Sequence, residues 1–315
     1  MAPEGNLIAV VKERVWSVMI PAYNAERFIG ETLESVLAQA ADAAQIVVVD
    51  DASTDNTVAV VEALGSDRVS VVPNEANRGA IATFNRCVEL AEGRLVHMLH
   101  ADDRVLPGFY KTMEQAMANP SAPIMGFCRA QYINENGQAG VVTRSERDGS
   151  GIWRGALETL GVSNRVRPPG VVVRRSAYEN LGGFRLDLPH AADWEMWTRL
   201  AAAGPIWFED QVLSEYRQHD AQDTAARVMS GENIRERLEC VETIGAHMPP
   251  SRRRTVTAKA FAYSGLFSAR TAATLLRHRK WQGGLRQLKL AGVCFVKTFR
   301  TVNLLPAIES GGKRQ

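Results

Sequence analysis

The stretch Gln45-Ile46-Val47-Val48-Val49-Asp50-Asp51-Ala52-Ser53-Thr54-Asp55 decides the fold of this chain. In a parallel sheet, a short apolar run such as Ile46–Val49 is a strand buried on both faces. Acids begin where the run stops. A second run, Leu95-Val96-His97-Met98-Leu99, leads through His100 and Ala101 into Asp102-Asp103. Ligands of open α/β sheets bind in the crevice beyond the carboxyl ends of the strands. The pattern therefore gathers four carboxylates at one sheet edge. Like charges so placed need a divalent metal, a cationic partner or hydrogen-bond donors to hold them.

Outward from this stretch, strand and helix patterns alternate. Val15–Ile20 reads as a strand ending at Pro21, and Asn24 can cap the helix whose apolar positions are Ile29, Leu33, Val36 and Leu37. Ser53 or Asp55 can cap the helix carrying Val58, Val61 and Leu64. Arg68–Val72 is a third strand. A helix from about Gly79 then places Ile81, Phe84, Val88 and Ala91 on one face, with Gly93 as its stop. Arg94–Leu99 is the fourth strand. Alternation at this spacing predicts a parallel α/β sheet. Farther on, Leu106–Asn119 reads as a helix. Ile124–Ile133 and Ala139–Thr143 read as a hairpin around Asn136-Gly137. Val171–Arg174 is a strand, followed by a short helix ending at Gly182-Gly183. Ala191–Ala203 is a helix with Trp197, Leu200 and Ala201 inward, two short strands run to Tyr216, and the pattern is helical from about Ala225 to Thr301.

The 315 residues suit one large domain, or one domain with an appendage, and 45% hydrophobic content is ample for a core. The cysteines Cys87, Cys128, Cys240 and Cys294 are far apart and read as reduced cytosolic thiols rather than a disulfide frame or zinc site. Met1–Asn6 carries no basic segment leading into an apolar one, so no secretory signal is expected. No apolar run approaches the ~18 residues of a membrane span. The formal net charge of +2 hides an asymmetry: residues 251–308 hold twelve Lys or Arg and no acid, whereas residues 1–250 hold 23 basic and 34 acidic residues. An acidic body and a basic tail meet different surroundings or partners.

The polar groups of the first part all follow strands: Pro21-Ala22-Tyr23-Asn24, Asp50 to Asp55, Asn74 to Gly79, and His100-Ala101-Asp102-Asp103. One Asp after a strand is usually a turn or cap, but four loops converging on one edge is the layout of a ligand site. In order and spacing over residues 15–110, Val18–Asn24, Val47–Thr57, Asn77-Arg78-Gly79-Ala80 and His100–Asp103 resemble the family 2 glycosyltransferases of the GT-A fold. A weaker match continues through Leu181-Gly182-Gly183-Phe184, Ala192–Trp197 and Tyr216–His219, so the resemblance covers residues 15–220.

The resemblance implies a GT-A Rossmann-like, mostly parallel sheet flanked by helices. It implies a catalytic domain over residues 1–222; beyond that it gives no help, and the helical pattern and the charge make 223–315 a basic helical C-terminal region. It implies transfer of a sugar from a nucleoside-diphosphate donor, of UDP or dTDP type, to an acceptor hydroxyl with inversion, in cell-surface polysaccharide or glycolipid synthesis. Pro21, Ala22, Tyr23 and Asn24 would line the base pocket, with Asp50 accepting a hydrogen bond from the base. Asn77, Arg78 and Gly79 would meet base or diphosphate, and His100, Ala101 and Asp102 the rest of the nucleotide. Asp102 would bind Mg²⁺ or Mn²⁺, which neutralises the leaving group. His100 departs from the family's first Asp at this place, which removes one negative charge near the metal. Asp103 reads equally as a second ligand or a cap. His219 matches the position of a third metal or diphosphate ligand, against the plainer reading of a surface or core histidine. Asp193 matches the catalytic base, although Ala192 stands where the family often has Glu; without the resemblance, Asp193 reads as a carboxylate at a helix N-terminus.

In the tail, Leu285, Leu288, Val293, Val296 and Phe299 lie among Arg286, Lys289, Lys297 and Arg300. This reads either as helix packing with a solvated basic face or as an interfacial segment drawn to anionic lipid, which would suit a lipid-linked acceptor. No aromatic–basic motif for nucleic acid is present. A homo-oligomer stays open. The expected place is the cytoplasm, with attachment to the inner face of the membrane on the second reading. The rival functions are a degenerate GT-A domain that binds nucleotide or scaffolds proteins without turnover, resting on His100 and Ala192, and a nucleotidyltransferase, which would need a Gly-rich basic loop where Pro21–Asn24 stands.

Overall fold

The computed structural model describes residues 14–64, 67–219 and 224–303. The N-terminal signal expectation, the boundary near residue 222 and the last basic residues, Lys313 and Arg314, lie outside them. β1 (Trp16–Ala22) is buried along its whole length, followed by α1 (Ile29–Leu37), whose Ile29, Leu33 and Val36 face inward. β2 (Gln45–Asp50) is the run quoted first, buried from Ile46 onward. α2 (Thr57–Ala63), β3 (Val69–Pro73), α3 (Ala80–Leu90) and β4 (Leu95–Met98) complete the alternation. Each fully buried Val, Ile or Leu of these strands contributes about 1.5–3 kcal/mol. His97, buried in β4, is satisfied on both nitrogens: Nε2 donates to the Pro169 carbonyl and Nδ1 accepts from the Tyr110 hydroxyl. A carbonyl only accepts, which fixes that tautomer. Burial pushes the pKa of His97 down to about 4, so it is a neutral core residue.

Then come β5 (Arg104–Val105), α4 (Phe109–Met117), the hairpin β6 (Met125–Asn134) and β7 (Ala139–Val142), β8 (Gly151–Ile152), α5 (Ala156–Val162), β9 (Val171–Arg174) and α6 (Arg175–Leu181). After them run α7 (Ala192–Ala203) and β10 (Ile206–Gln218). The sequence predicts two short strands here; the chain makes one strand of 13 residues, whose register on β6 shifts between Glu209 and Ser214. The bulge breaks the alternation, and the break reads as a gap. The sheet order is β3-β2-β1-β4-β9-β6-β10-β5, with β7 on β6 and β8 on β10. β3, β2, β1 and β4 are mutually parallel, as are β6 and β10, while β9 runs antiparallel to both β4 and β6. The sheet is thus mixed, with its long pairings parallel and the shorter ones of β5, β7, β8 and β9 antiparallel, and helices lie on both faces.

Helices α8 (Thr224–Ser230), α9 (Glu232–His247), α10 (Pro250–Arg277) and α11 (Trp281–Asn303) follow. They share the main core: Leu238, Val241, Ile244, Val256, Phe261 and Cys294 pack in one cluster with Trp194, Met196 and Trp197 of α7. α10 and α11 form a long antiparallel hairpin.

Gly93 is not the stop of α3, which ends at Leu90 with Ala91 already extended; it is there for a close approach of two backbones. Its N–H donates to Ser17 Oγ at 2.7 Å, and a Cβ at this position would lie 2.5 Å from Ser17 N and against the Trp16 carbonyl. Backbone cannot give way as a side-chain tip can. Gly93→Ala is expected to cost about 1–3 kcal/mol or more, read as a lowered denaturation midpoint in urea. An unchanged midpoint would mean that β1 and the α3–β4 turn are not in this contact.

Candidate active site

The four acids of the sheet edge are held by different devices. Asp51 is committed to the loop after β3: its oxygens accept from the backbone N–H of Arg78 and of Gly79, both at 2.9 Å, and from Asn74 Nδ2 at 2.8 Å. Burial raises its pKa, but these donors outweigh burial and leave the carboxyl below its ordinary value. Gly79 turns the chain into α3 at φ +83, a conformation that a side chain would strain. Asp50 ends β2 beside Ala22. Its Oδ2 accepts from Ser53 N–H at 3.1 Å, and its Oδ1 is buried without a hydrogen-bond partner among the described residues.

Asn24 does not cap α1, which begins at Ile29 without a side-chain cap. Instead it sits at φ +49, and its Oδ1 accepts from Thr54 N–H at 2.8 Å. Asp55 accepts from Glu26 N–H and from Thr57 N–H at the start of α2. The loops after β1 and β2 are thereby tied to each other. A cap and an inter-loop tie use the same side chains, and sequence alone does not separate them.

The loop after β4 is fixed from β10. Arg217 is 1% exposed: its backbone N–H donates to Asp103 Oδ1 at 2.8 Å, its Nε to the Asp102 carbonyl at 2.8 Å, and its Nη2 pairs with Glu31 at 2.7 Å. The guanidinium lies over Phe28, 4.7 Å from the ring centre. Two residues on, His219 Nε2 meets Asp102 Oδ2 at 3.0 Å, with its ring against Phe28. His100, Asp102 and Asp103 bring one ligand atom each within 4.8 Å of one another. Asp103 is fully buried; its Oδ2 has no hydrogen-bond partner among the described residues and lies 3.9 Å from His100 Nδ1. Burial, with the neighbouring Asp102, holds the Asp103 pKa well above the ordinary value despite Arg217. Burial lowers that of His100, whose ring stacks on Phe84 at 5.2 Å.

Asp193 approaches from α7, in its first turn. Asn164 Nδ2 donates to its Oδ2 at 2.8 Å, and Trp194 N–H to its Oδ1 at 2.6 Å. Burial raises its pKa above the ordinary carboxylate value, offset in part by those two donors and by the charge of Arg167. The start of α7 is also held from α9: Glu236 Oε1 accepts from the backbone N–H of His190 and Ala191, and Arg237 lies over the Trp194 ring at 4.4 Å. Glu195 on the same helix is not aimed at the cleft; burial raises its pKa, but Arg199 and His247 hydrogen-bond it and leave it lowered.

A cleft of about 1160 Å³ joins these groups. Pro21, Tyr23, Asn24, His100, Ala101, Asp102, Asp193 and His219 line it. Ala22, Asp50 and Asp103 lie behind the wall, each nearly or fully buried. Asn77, Arg78 and Gly79 are exposed just before the lining residues Ala80 and Ile81. Sequence reasoning missed Asn164, Arg167, Tyr132 and Phe267. Arg167 and Tyr132 line the cleft and hydrogen-bond each other, and Phe267 reaches it from α10. The first three lie in segments without a motif, and no local signal marks them.

The family 2 glycosyl transferase model matches residues 17–182. The chain belongs to this family. It is a glycosyltransferase, with a GT-A sheet and a C-terminal helical region. An uncharacterized protein of Mycobacterium tuberculosis is 31% identical over 230 residues, covering 68% of this chain and 70% of that one. Among solved structures, residues 1–349 of S. aureus TarS in complex with UDP-GlcNAc are similar, with a TM-score of 0.66 at 20% identity, covering 92% of this glycosyltransferase and 90% of that chain. The mannosyltransferase PcManGT of Pyrobaculum calidifontis, in complex with GDP-Man and Mn²⁺, has a TM-score of 0.56 at 20% identity, covering 91% and 88%. At these identities the two structures show a shared fold.

Proposed function

We propose that this glycosyltransferase moves a sugar from a nucleoside diphosphate to an acceptor hydroxyl, with inversion at the anomeric carbon and with Mg²⁺ or Mn²⁺ as cofactor. The observation that carries the reading is the placement of Asp102 and Asp193, from separate elements, on the wall of one cleft. The residues fit a hard cation. Carboxylates are its preferred ligands, and an oxygen buried without a partner, as Asp103 Oδ2 is, costs free energy unless it is protonated or ligated. Asp102 would hold the ion with Asp103 and His219. When bound, the cation neutralises charge on the leaving diphosphate.

The other roles belong to the chain itself. Pro21, Ala22, Tyr23 and Asn24 flank the base, and the free Oδ1 of Asp50 accepts from a ring N–H of uracil or thymine. Arg78, whose guanidinium makes no ion pair among the described residues, is available to the diphosphate, with Asn77 and Gly79 shaping its turn. His100, with its pKa lowered, is a neutral donor for a ribose hydroxyl beside Ala101. Asp193 takes the acceptor proton as the hydroxyl attacks. We assign these groups to a catalytic unit of residues 1–222, place the enzyme in the cytoplasm, and take the acceptor to be a carbohydrate or lipid-linked saccharide of cell-surface polysaccharide or glycolipid synthesis. The nucleotide sugars and Mn²⁺ held by TarS and PcManGT support the donor class and the cofactor.

The test is a release assay over a panel of NDP-sugars, with Mn²⁺, Mg²⁺ or chelator, measuring free nucleoside diphosphate. One or a few donors, with uridine or thymidine among them, should give release that chelation abolishes. Undiminished turnover in chelator would remove the cation from the reading. Absence of release from every donor, with and without acceptor extracts, would favour a domain that binds without turnover.

A further inference from the structure

The described residues expose fifteen large hydrophobic side chains, and eleven of them lie on α10 and α11. On α11, Trp281, Leu285, Leu288, Phe295, Phe299 and Val302 are 43–69% exposed. Their spacing of 4, 7, 14, 18 and 21 residues from Trp281 puts them within one stripe at 100° per residue. Arg286, Lys289 and Arg300 fall along one border of that stripe, while Gln287, Ala291 and Cys294 face the protein. On α10, Tyr263, Leu266 and Phe267 are exposed between Lys259 and Arg270. Phe295 packs against Gly265, the neighbour of Leu266, so the two exposed faces adjoin.

An exposed apolar stripe of this length marks a docking surface, and its charge selects the occupant. Residues 250–303 contain twelve basic residues and no acid. Lys259, Arg270, Arg277, Lys289 and Arg300 make no ion pair among the described residues. A second copy of this chain, docked face to face through the same hairpin, would bring one cationic face against another. An acidic protein would satisfy the charges but would need an apolar groove shaped to six large side chains spread over more than five helical turns. An anionic bilayer supplies both: headgroup phosphates for the Lys and Arg, and acyl chains for the stripe. No described helix is long and apolar enough to cross a membrane, so the hairpin would lie in the surface rather than span it.

We propose that the α10–α11 hairpin docks this enzyme on an anionic lipid surface, with the α11 stripe inserted among the acyl chains and the flanking Lys and Arg on the headgroups. Phe267 both belongs to the exposed face of α10 and lines the cleft, so docking sets the cleft mouth at the lipid surface. On the glycosyl-transfer reading above, and resting on it, the acceptor is then a saccharide held at the membrane by a lipid anchor.

Vesicle sedimentation of the full chain, without donor, tests docking independently of transfer. Phosphatidylcholine vesicles with about one third phosphatidylglycerol should bind the protein, and phosphatidylcholine alone should bind it at least ~10-fold more weakly. Affinity should fall severalfold between about 0.05 and 0.5 M salt, as screening shortens the reach of the basic residues. The pairs Leu285→Ser with Phe299→Ser, and Lys289→Glu with Arg300→Glu, should each weaken binding ~10-fold or more at an unchanged melting temperature. Failure to sediment with anionic vesicles, equal binding to neutral ones, or indifference to both pairs would each overturn the proposal. So would a dimer in sedimentation velocity that the Leu285–Phe299 pair of changes dissociates, together with no lipid binding. Docking without NDP-sugar turnover would leave the surface assigned and overturn only the transfer reading.

Discussion

Asp193→Asn should lower turnover by about 10²-fold or more, the scale of a lost general base, with little change in donor affinity. The substitution is nearly isosteric, and an amide oxygen can keep the hydrogen bond from Trp194 N–H that holds the start of α7. What disappears is the basic oxygen, and with it the acceptor for Asn164 Nδ2. Burial sets that carboxyl above the ordinary aspartate value, which makes it a stronger base than an exposed aspartate. The sign follows directly. The reaction needs the ionised form, so turnover should fall as pH drops through the raised pKa, with its acid limb above that of a free aspartate. Asp193→Asn should lose that limb. Single-turnover kinetics across pH, with donor binding by calorimetry, measure both parts. Near-normal turnover in the mutant, or an acid limb that survives it, would return Asp193 to the structural role of a first-turn carboxylate.

The alternation of strands and helices through residue 105 was legible because each element declares itself locally. β1, β2 and β4 are apolar runs ended by Pro or acids, and α1 and α3 carry one apolar face each. The site loops could be located for the same reason, since they follow the strands. The jobs of individual acids could not. Asp50 and Asp51 are adjacent and identical in kind, yet one leaves an oxygen free while the other is spent on the Arg78–Gly79 turn. That difference comes from the approach of the β3–α3 loop, which no local pattern records. Arg217 illustrates the larger limit. A charged residue near the end of a strand reads as a solvated surface group, but here it is buried and holds the Asp102–Asp103 loop, because Glu31, Phe28 and two backbone groups converge on it from elements far apart in the chain. Likewise, composition shows that the tail is basic, but whether its apolar residues face the core or the solvent depends on how α11 is rotated against α10.

Asp102→Asn should abolish metal-dependent donor binding while leaving the fold in place. The fold is protected because the link that fixes this loop uses the Asp102 carbonyl, which accepts from Arg217 Nε and is untouched by the change. Asp103 keeps its hydrogen bond from Arg217 N–H. The His219 contact also survives in kind, since the amide oxygen can accept from Nε2. The loss is one negative charge and one strong cation ligand in a cluster that His100 has already left poorer in charge. Asp103 alone, buried with its carboxyl pushed toward the protonated form, is a weak substitute. A charged ligand cannot be replaced by an amide at a hard divalent cation without a large loss of affinity. Calorimetry of nucleoside diphosphate binding with and without Mn²⁺ should show an enhancement by the cation for the native enzyme and none for Asp102→Asn, at matching melting temperatures. Equal cation-dependent affinity in the two proteins would move the metal away from Asp102. The remaining candidates would then be Asp103 with His100, and the His219–Asp102 contact would be a structural tie between β10 and the β4 loop.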